Sequence, residues 1–351
     1  MPRGRHWDGS MGKLDGLKVV RTDGELDLGR VDERLRGHGA RVVVLGEGAG
    51  EDGLVAEVAD ADLLLMCYAR VTARAIASAA KLRAIVKYGV GIDAIDLVAA
   101  RERGVPVANV PAYAEETVAE GAFALMMGLF KRFKAVHGEM QGRGWAWPEA
   151  RWLGEDLSGK TLGLVGLGRI GRSMARMAGA FRMRVLAHDP FVSDASVPAG
   201  VERCGDLHAM LARSDAVSVH CVLDAGTRHL IGERELGCMK RSAYLVNVSR
   251  GEIVDETAMV RALREGRIAG AALDVYGREP LAHLGHPLSA LFGMPNVLLW
   301  PHLTFYTAEA MARLEEETLE RCLEALGGRP LTVLSHDPRL RAQTRGVRFV
   351  D

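Results

Sequence analysis

Two successive series of short, continuous apolar runs, each run separated from the next by a helix-like stretch, constrain the fold of this chain more than any other feature. The first comprises Leu17 to Val20, Arg41 to Leu45, Asp62 to Cys67, Leu82 to Val86 and Val105 to Val110. The second comprises Thr161 to Val165, Arg184 to Ala187, Ala216 to His220, Ala243 to Val248, Gly270 to Val275 and Val297 to Trp300. A half-exposed strand alternates polar and apolar residues, whereas a strand covered on both faces reads as an unbroken apolar run. The pattern therefore predicts an α/β chain with two doubly wound parallel sheets. A length of 351 residues, more than one hydrophobic core usually organises, agrees with two domains.

Between the two series lies an almost wholly apolar segment, Val118 to Phe130, which predicts a buried helix at a domain or subunit junction. Gly142 to Gly159 follows and carries Trp145, Trp147 and Trp152; a loop with three tryptophans is expected to pack against something, and a dimer contact is placed there. A last helix over Ala308 to Leu326 ends at Gly327 and Gly328, with Pro330 beyond as a stop. Residues 331–351 contain four arginines and little periodicity, and are read as a tail outside the core.

Composition excludes several classes of function. Basic and acidic side chains number 45 each, so no overall basic character argues for a nucleic-acid partner. The longest uncharged apolar stretch, Gly121 to Phe130, is too short to span a bilayer. Met1 to Gly16 is polar and glycine-rich, without the apolar core of a secretory signal, which places the chain in the cytoplasm. Five widely spaced cysteines fit a reduced compartment with buried thiols. No metal site is indicated, because His283 and His286 lack a cysteine or acidic cluster at ligand spacing.

Chemistry enters with GLGRIG. Gly166, Gly168 and Gly171 directly follow the run Thr161 to Val165 and open a helix-like stretch, the context that a dinucleotide fingerprint requires. The first glycine permits a tight turn, the second lets the backbone approach a pyrophosphate, and the helix beginning at Arg169, Ile170 and Gly171 offers partial positive charge to it. Asp189 ends the next run, 18 residues past Gly171. Its carboxylate is placed to accept from the adenosine ribose hydroxyls and to repel a 2'-phosphate, which selects NAD over NADP.

Three further residues stand at or just past the ends of runs in the second series: Arg250 in NVSRG, Glu279 in LDVYGREP and His302 in WPH. Alone, each type has a commoner role, as a surface ion pair, a loop charge before Pro280 and a strand-end hydrogen-bonding residue. Together they meet the needs of 2-oxo acid reduction. Arginine binds a carboxylate and stays charged; histidine gives a proton to a developing alkoxide; a carboxylate keeps the imidazole protonated and oriented.

The segments LGLVGLGRIGRSMA, HLIGERELGCMKRSAYLVNVSRGEIVDETAMVRALREGRIAGAALDVYGREP and NVLLWPH, in this order, resemble the D-2-hydroxyacid dehydrogenase family that includes D-3-phosphoglycerate dehydrogenase. The resemblance covers roughly Leu17 to Leu326. It implies a Rossmann NAD-binding domain over 113–302, with a dimerisation segment, inserted into a flavodoxin-like substrate domain built from 16–112 and 303–330. Residues 1–15 are then a flexible N-terminus. Arg250, Glu279 and His302 become the catalytic residues, and KYGVGID presents the N–H groups of Val90 and Gly91 to the substrate carboxylate. On the same resemblance, the loop Met66 to Ala69, with Tyr68, is expected to line the pocket, Asp274 to lie near the nicotinamide amide, and the protein to be a homodimer.

Within the family, HCVLDAGTRHLI, AFRMRVLAHDPFVSD and PHLTFYTAEA look closest to the C-terminal-binding-protein branch, whose animal members are NAD-sensing transcriptional corepressors. FYT after the histidine is also similar to D-lactate dehydrogenases. The chain departs from the family pattern at Trp300, where a small residue is usual, and at Leu303, Thr304 and Phe305, which replace a small, often glycine-containing turn. Met66, Cys67, Tyr68, Ala69 and Phe305 suggest an apolar pocket with one hydroxyl, and no added basic residue in that loop points to a phosphate-bearing substrate. The leading expectation is an NAD-dependent reductase of small 2-oxo acids. The alternatives are a corepressor-like NAD-sensing binding protein and a reductase of phosphonate-, sulfonate- or phosphite-type substrates.

Overall fold

The computed structural model describes residues 14–350 apart from 27 and 47, so most of the segment read as a flexible N-terminus lies outside the described residues. The chain divides into two compact units, one formed by residues 14–114 and 307–350, the other by residues 115–306.

The first unit holds a five-stranded, wholly parallel sheet of β1 (Lys18–Arg21), β2 (Arg41–Val44), β3 (Leu63–Met66), β4 (Ala84–Lys87) and β5 (Val107–Ala108), in the order β2-β1-β3-β4-β5. Apart from β2, whose residues are half-buried or exposed, these strands are fully buried, as unbroken apolar runs require. The helix Ala308–Leu326 starts at Thr307, whose hydroxyl accepts from the Ala310 N–H at 3.2 Å, and buries Leu314, Leu319 and Leu323 in this unit.

The second unit holds a seven-stranded parallel sheet. Its strands are β6 (Thr161–Val165), β7 (Arg184–His188), β8 (Val201–Arg203), β9 (Ala216–Val219), β10 (Tyr244–Asn247), β11 (Gly270–Leu273) and β12 (Val297–Leu299), ordered β12-β11-β10-β9-β6-β7-β8. The strand order reverses between β6 and β9, so a crevice opens beyond their C-terminal ends. One face of the sheet is covered by the helix Glu115–Phe130, which buries Ala122, Phe123, Met126 and Phe130 against Leu162, Leu164 and Val246. The other face packs Met210, Leu211, Met259 and Ala262 against Val217, Leu245 and Ala271. β8 has no counterpart in the sequence reading because Val201, Glu202 and Arg203 form an exposed edge without an apolar run. The segment after the apolar helix begins as a helix, Phe133–Arg143, none of whose residues is buried.

Residues 331–351, read as a tail outside the core, are corrected by the structure. Leu331–Val333 and Val347–Phe349 pair in parallel as β13 and β14, and Leu331, Val333 and Leu340 are buried. The anchors are polar and carry no periodicity. The Gln343 amide accepts from the Val107 N–H at 2.7 Å and donates to its carbonyl at 2.9 Å, completing the outer edge of β5 as a neighbouring strand would. The Glu324 carboxylate accepts from the Thr332 N–H at 2.8 Å and from its hydroxyl at 2.7 Å.

Candidate active site

In the second unit the glycine turn sits at the reversal point of the sheet. Gly166 follows β6 with φ of +100°, and a Cβ there would stand 2.6 Å from the Cys221 nitrogen at the end of β9. Only a residue without a side chain lets the two strand ends approach this closely. A Cβ on Gly171 would run into the Gly166 carbonyl, whereas one on Gly168 would meet no atom within 4 Å, so the loop is open on that side. The helix Arg169–Ala180 begins here, and its first N–H groups have no partner within the helix. The Arg169 side chain is turned to Glu115, at 2.8 Å.

Asp189 immediately follows β7 and is half-buried. It accepts from the Leu167 N–H of the glycine turn at 2.8 Å and from the Phe191 N–H at 2.9 Å, one bond to each oxygen. Each oxygen retains a lone pair. A bent backbone that excludes side chains, a helix N-terminus and a fixed carboxylate beside it fit a dinucleotide.

The chemistry-bearing residues lie past neighbouring strands of the same sheet: Arg250 after β10, Asp274 and Glu279 after β11, His302 after β12. His302 Nδ1 and Glu279 Oε2 are 2.9 Å apart, and the other Glu279 oxygen accepts from the Tyr276 N–H at 3.0 Å. Burial alone would raise the Glu279 carboxyl. The bond and charge of His302, the Tyr276 N–H and the Arg250 charge outweigh it and hold the group below the usual carboxylate range. Glu279 is thus an anion at neutral pH. His302 is partly exposed and adopts φ of +58°.

Arg250 is presented by a turn that the buried Asn247 side chain builds, accepting from the Ser249 N–H at 3.1 Å and donating to the Arg250 carbonyl at 2.9 Å. Gly251 behind it lies against the Tyr276–Gly277 backbone with no room for a Cβ. Asp274 is 1% exposed and accepts from the turn after His302, namely from the Leu303 N–H at 2.8 Å and from the Thr304 N–H and hydroxyl. The sequence reading missed Tyr276, whose hydroxyl donates to the Trp300 carbonyl at 2.9 Å and whose N–H holds Glu279. Its position midway between Asp274 and Glu279 was the available signal.

In the first unit, Tyr68, Val90 and Gly91 lie on the loops after β3 and β4. Asp23, at the end of β1, fixes the first loop by accepting from the N–H groups of Cys67, Tyr68 and Ala69 at 2.9, 3.1 and 2.9 Å. Buried Lys87 ties the two loops together through the carbonyls of Cys67 at 2.7 Å and Tyr88 at 2.9 Å. The Val90 carbonyl accepts from Asn109 at 2.6 Å. The N–H groups of Val90 and Gly91 have no acceptor among the described residues, so they are available to an anion. Asp23 and Lys87 also escaped the sequence reading. No group of potential metal ligands occurs among the described residues, and no helix among them is long and apolar enough to cross a membrane.

Residues 123–304 match the model of the D-isomer specific 2-hydroxyacid dehydrogenase NAD-binding domain. A glyoxylate reductase of Korarchaeum cryptofilum is 40% identical over 77% of this chain and 81% of that protein. A D-3-phosphoglycerate dehydrogenase of Methanocaldococcus jannaschii is 35% identical over 82% of this chain, which spans only 54% of that longer protein. The D-lactate dehydrogenase of Aquifex aeolicus, solved with NAD and lactic acid, superposes with a TM-score of 0.80 at 28% identity, covering 88% of this chain and 96% of the other. The chain belongs to the D-isomer specific 2-hydroxyacid dehydrogenase family and is an NAD-dependent oxidoreductase acting on CH–OH donors.

Proposed function

We propose that this enzyme interconverts a small 2-oxo acid and the corresponding D-2-hydroxy acid, with glyoxylate and pyruvate as the first substrates to test. The observation that carries the reading is the His302–Glu279 pair, 2.9 Å apart, with the second carboxylate oxygen already fixed by the Tyr276 N–H. Bound NAD(H) supplies or accepts the hydride at C2. The chain's residues do the rest. The guanidinium of Arg250, permanently charged, takes the substrate carboxylate and polarises the carbonyl oxygen. Val90 and Gly91 carry N–H groups without an acceptor among the described residues, suited to a carboxylate. His302 gives a proton to the alkoxide oxygen during reduction and removes it during oxidation, while ionised Glu279 orients the ring.

Gly166, Gly168, Arg169, Ile170 and Gly171 receive the pyrophosphate, Asp189 the adenosine ribose hydroxyls, and Asp274, with a lone pair left on Oδ1, the carboxamide. The substrate-domain role falls to the unit containing Tyr68. A homodimer in the cytoplasm completes the reading; the exposed Trp145, Trp147 and Leu153 support a partner surface.

The test follows NADH loss with glyoxylate, pyruvate, hydroxypyruvate and phenylpyruvate for the wild type and His302→Ala. Turnover of at least one acid by the wild type, lost by about a hundredfold or more in the variant, is expected. No turnover of any acid, or an equally active variant, overturns the assignment.

A further inference from the structure

The turn after the candidate proton donor is held in an unusual way. His302 occupies the left-handed region, which side chains with a Cβ avoid unless their surroundings dictate it. Those surroundings are the next two residues. The Leu303 N–H donates to Asp274 Oδ1 at 2.8 Å, and the Thr304 N–H and hydroxyl donate to Oδ2 at 3.2 and 2.5 Å. Among the described residues, every donor to this buried carboxylate comes from the turn. Asp274 is 1% exposed, so a lost donor would be replaced by water only if the turn opened.

Thr304 is fixed from a second side. Gly121, in the helix Glu115–Phe130, faces it so closely that a Cβ on the glycine would lie 2.7 Å from Thr304 Cβ and 2.9 Å from its methyl carbon. The side chain therefore stands between a buried anion and bare helix backbone. Valine matches its volume but gives no hydrogen to Asp274; serine keeps the hydrogen and loses only the methyl. Threonine meets both demands at once.

We propose that Thr304 is a positioning residue, which locks the turn against Asp274 and Gly121 and so sets the direction of the His302 ring toward Glu279. This rests on the reading of His302 as the acid and base. Its action is indirect: Thr304 need not touch substrate or cofactor.

The test compares Thr304→Val, Thr304→Ser, Gly121→Ala and His302→Ala in the full chain. Two quantities are measured: kcat with the best 2-oxo acid of the panel, and amide hydrogen exchange at residues 303 and 304 without substrate. Thr304→Val and Gly121→Ala are expected to lower kcat about ten- to a hundredfold. They should also speed exchange at residues 303 and 304 by about tenfold or more, with β11 and β12 unchanged. Thr304→Ser should stay within about threefold of wild type in both. Normal kcat and exchange in Thr304→Val overturn the inference, as does faster exchange spread evenly over β11 and β12. An inactive His302→Ala beside an unchanged Thr304→Val overturns this inference alone, whereas an active His302→Ala overturns the acid and base reading and this inference with it.

Discussion

Gly166→Ala tests whether the glycine turn is dictated by the approach of two strand ends. The added Cβ would lie 2.6 Å from the Cys221 nitrogen, 2.8 Å from the His220 carbonyl carbon and 2.9 Å from Cys221 Cα, all backbone atoms. Ordinary contact begins at 3.4 Å, so the ends of β6 and β9 must part by most of an ångström. Neither end moves without loss: the His220 N–H donates to the Val165 carbonyl at 2.8 Å and the Gly166 N–H to the His188 carbonyl at 2.9 Å. Overpacking of this kind costs about 1–3 kcal/mol. The φ of +100° adds about 1–2 kcal/mol for a residue with a side chain. A destabilisation of about 2–5 kcal/mol follows, and NADH should bind at least about tenfold more weakly, because the turn that aims the helix N-terminus has moved. Gly179→Ala is the control on the same helix. Nothing lies within 4 Å of its Cβ, so alanine should stabilise by about 0.5–1 kcal/mol and leave NADH affinity unchanged. Urea unfolding and fluorescence titration of NADH measure both. If Gly166→Ala behaves like Gly179→Ala in the two assays, the close approach has been given the wrong importance.

Asp189→Ser removes the charge that should repel a 2'-phosphate, so kcat/KM for NADPH relative to NADH is expected to rise by about tenfold or more; an unchanged ratio contradicts the role given to Asp189. Asp215 supplies a pH signature of stability. Burial would raise its carboxyl, but Lys240 at 2.8 Å and the Thr161 N–H at 2.8 Å more than offset this and hold it below the ordinary range. A folded-state value below the unfolded one gives stability that is present above the unfolded value and lost as pH falls through the folded one. Asp215→Asn should therefore cost about 1 kcal/mol at neutral pH, a gap that closes below about pH 4. A gap that stays constant from pH 7 to pH 3 in urea titrations refutes the linkage.

The strands were legible because burial on both faces leaves a mark in the sequence itself. Thr161–Val165 coincides with its apolar run, and each of the other ten runs overlaps a strand whose ends differ from it by at most two residues. β8 left no mark, since an exposed edge needs no apolar run. The fingerprint was legible in part for a local reason: Gly171 answers to the Gly166 carbonyl within one strand–turn–helix unit, so spacing carries that information, whereas Gly166 answers to the His220–Cys221 backbone after a different strand. Residues 331–350 show the opposite case. They are held by Gln343 on Val107, a partner 236 positions away, through an amide whose identity says nothing about where it docks.

The site divides along the same line. Arg250, Glu279 and His302 could be singled out because each follows a strand at one edge of one sheet, and strand ends are visible in the sequence. What makes them a working set lies in residues with ordinary local contexts. Asn247 bends the turn that presents Arg250; Tyr276 holds Glu279 by its N–H and Trp300 by its hydroxyl; Asp274 gathers the turn after His302. Each acts through a hydrogen bond to backbone, which tolerates many side-chain patterns and creates no periodicity. Gly121 is the extreme instance. Within Val118 to Phe130 it reads as one more small residue of an apolar helix, and only the arrival of Thr304, 183 positions later, makes the missing Cβ a requirement. Sequence spacing thus identifies the groups that react, while the groups that aim them answer to contacts that exist only after folding.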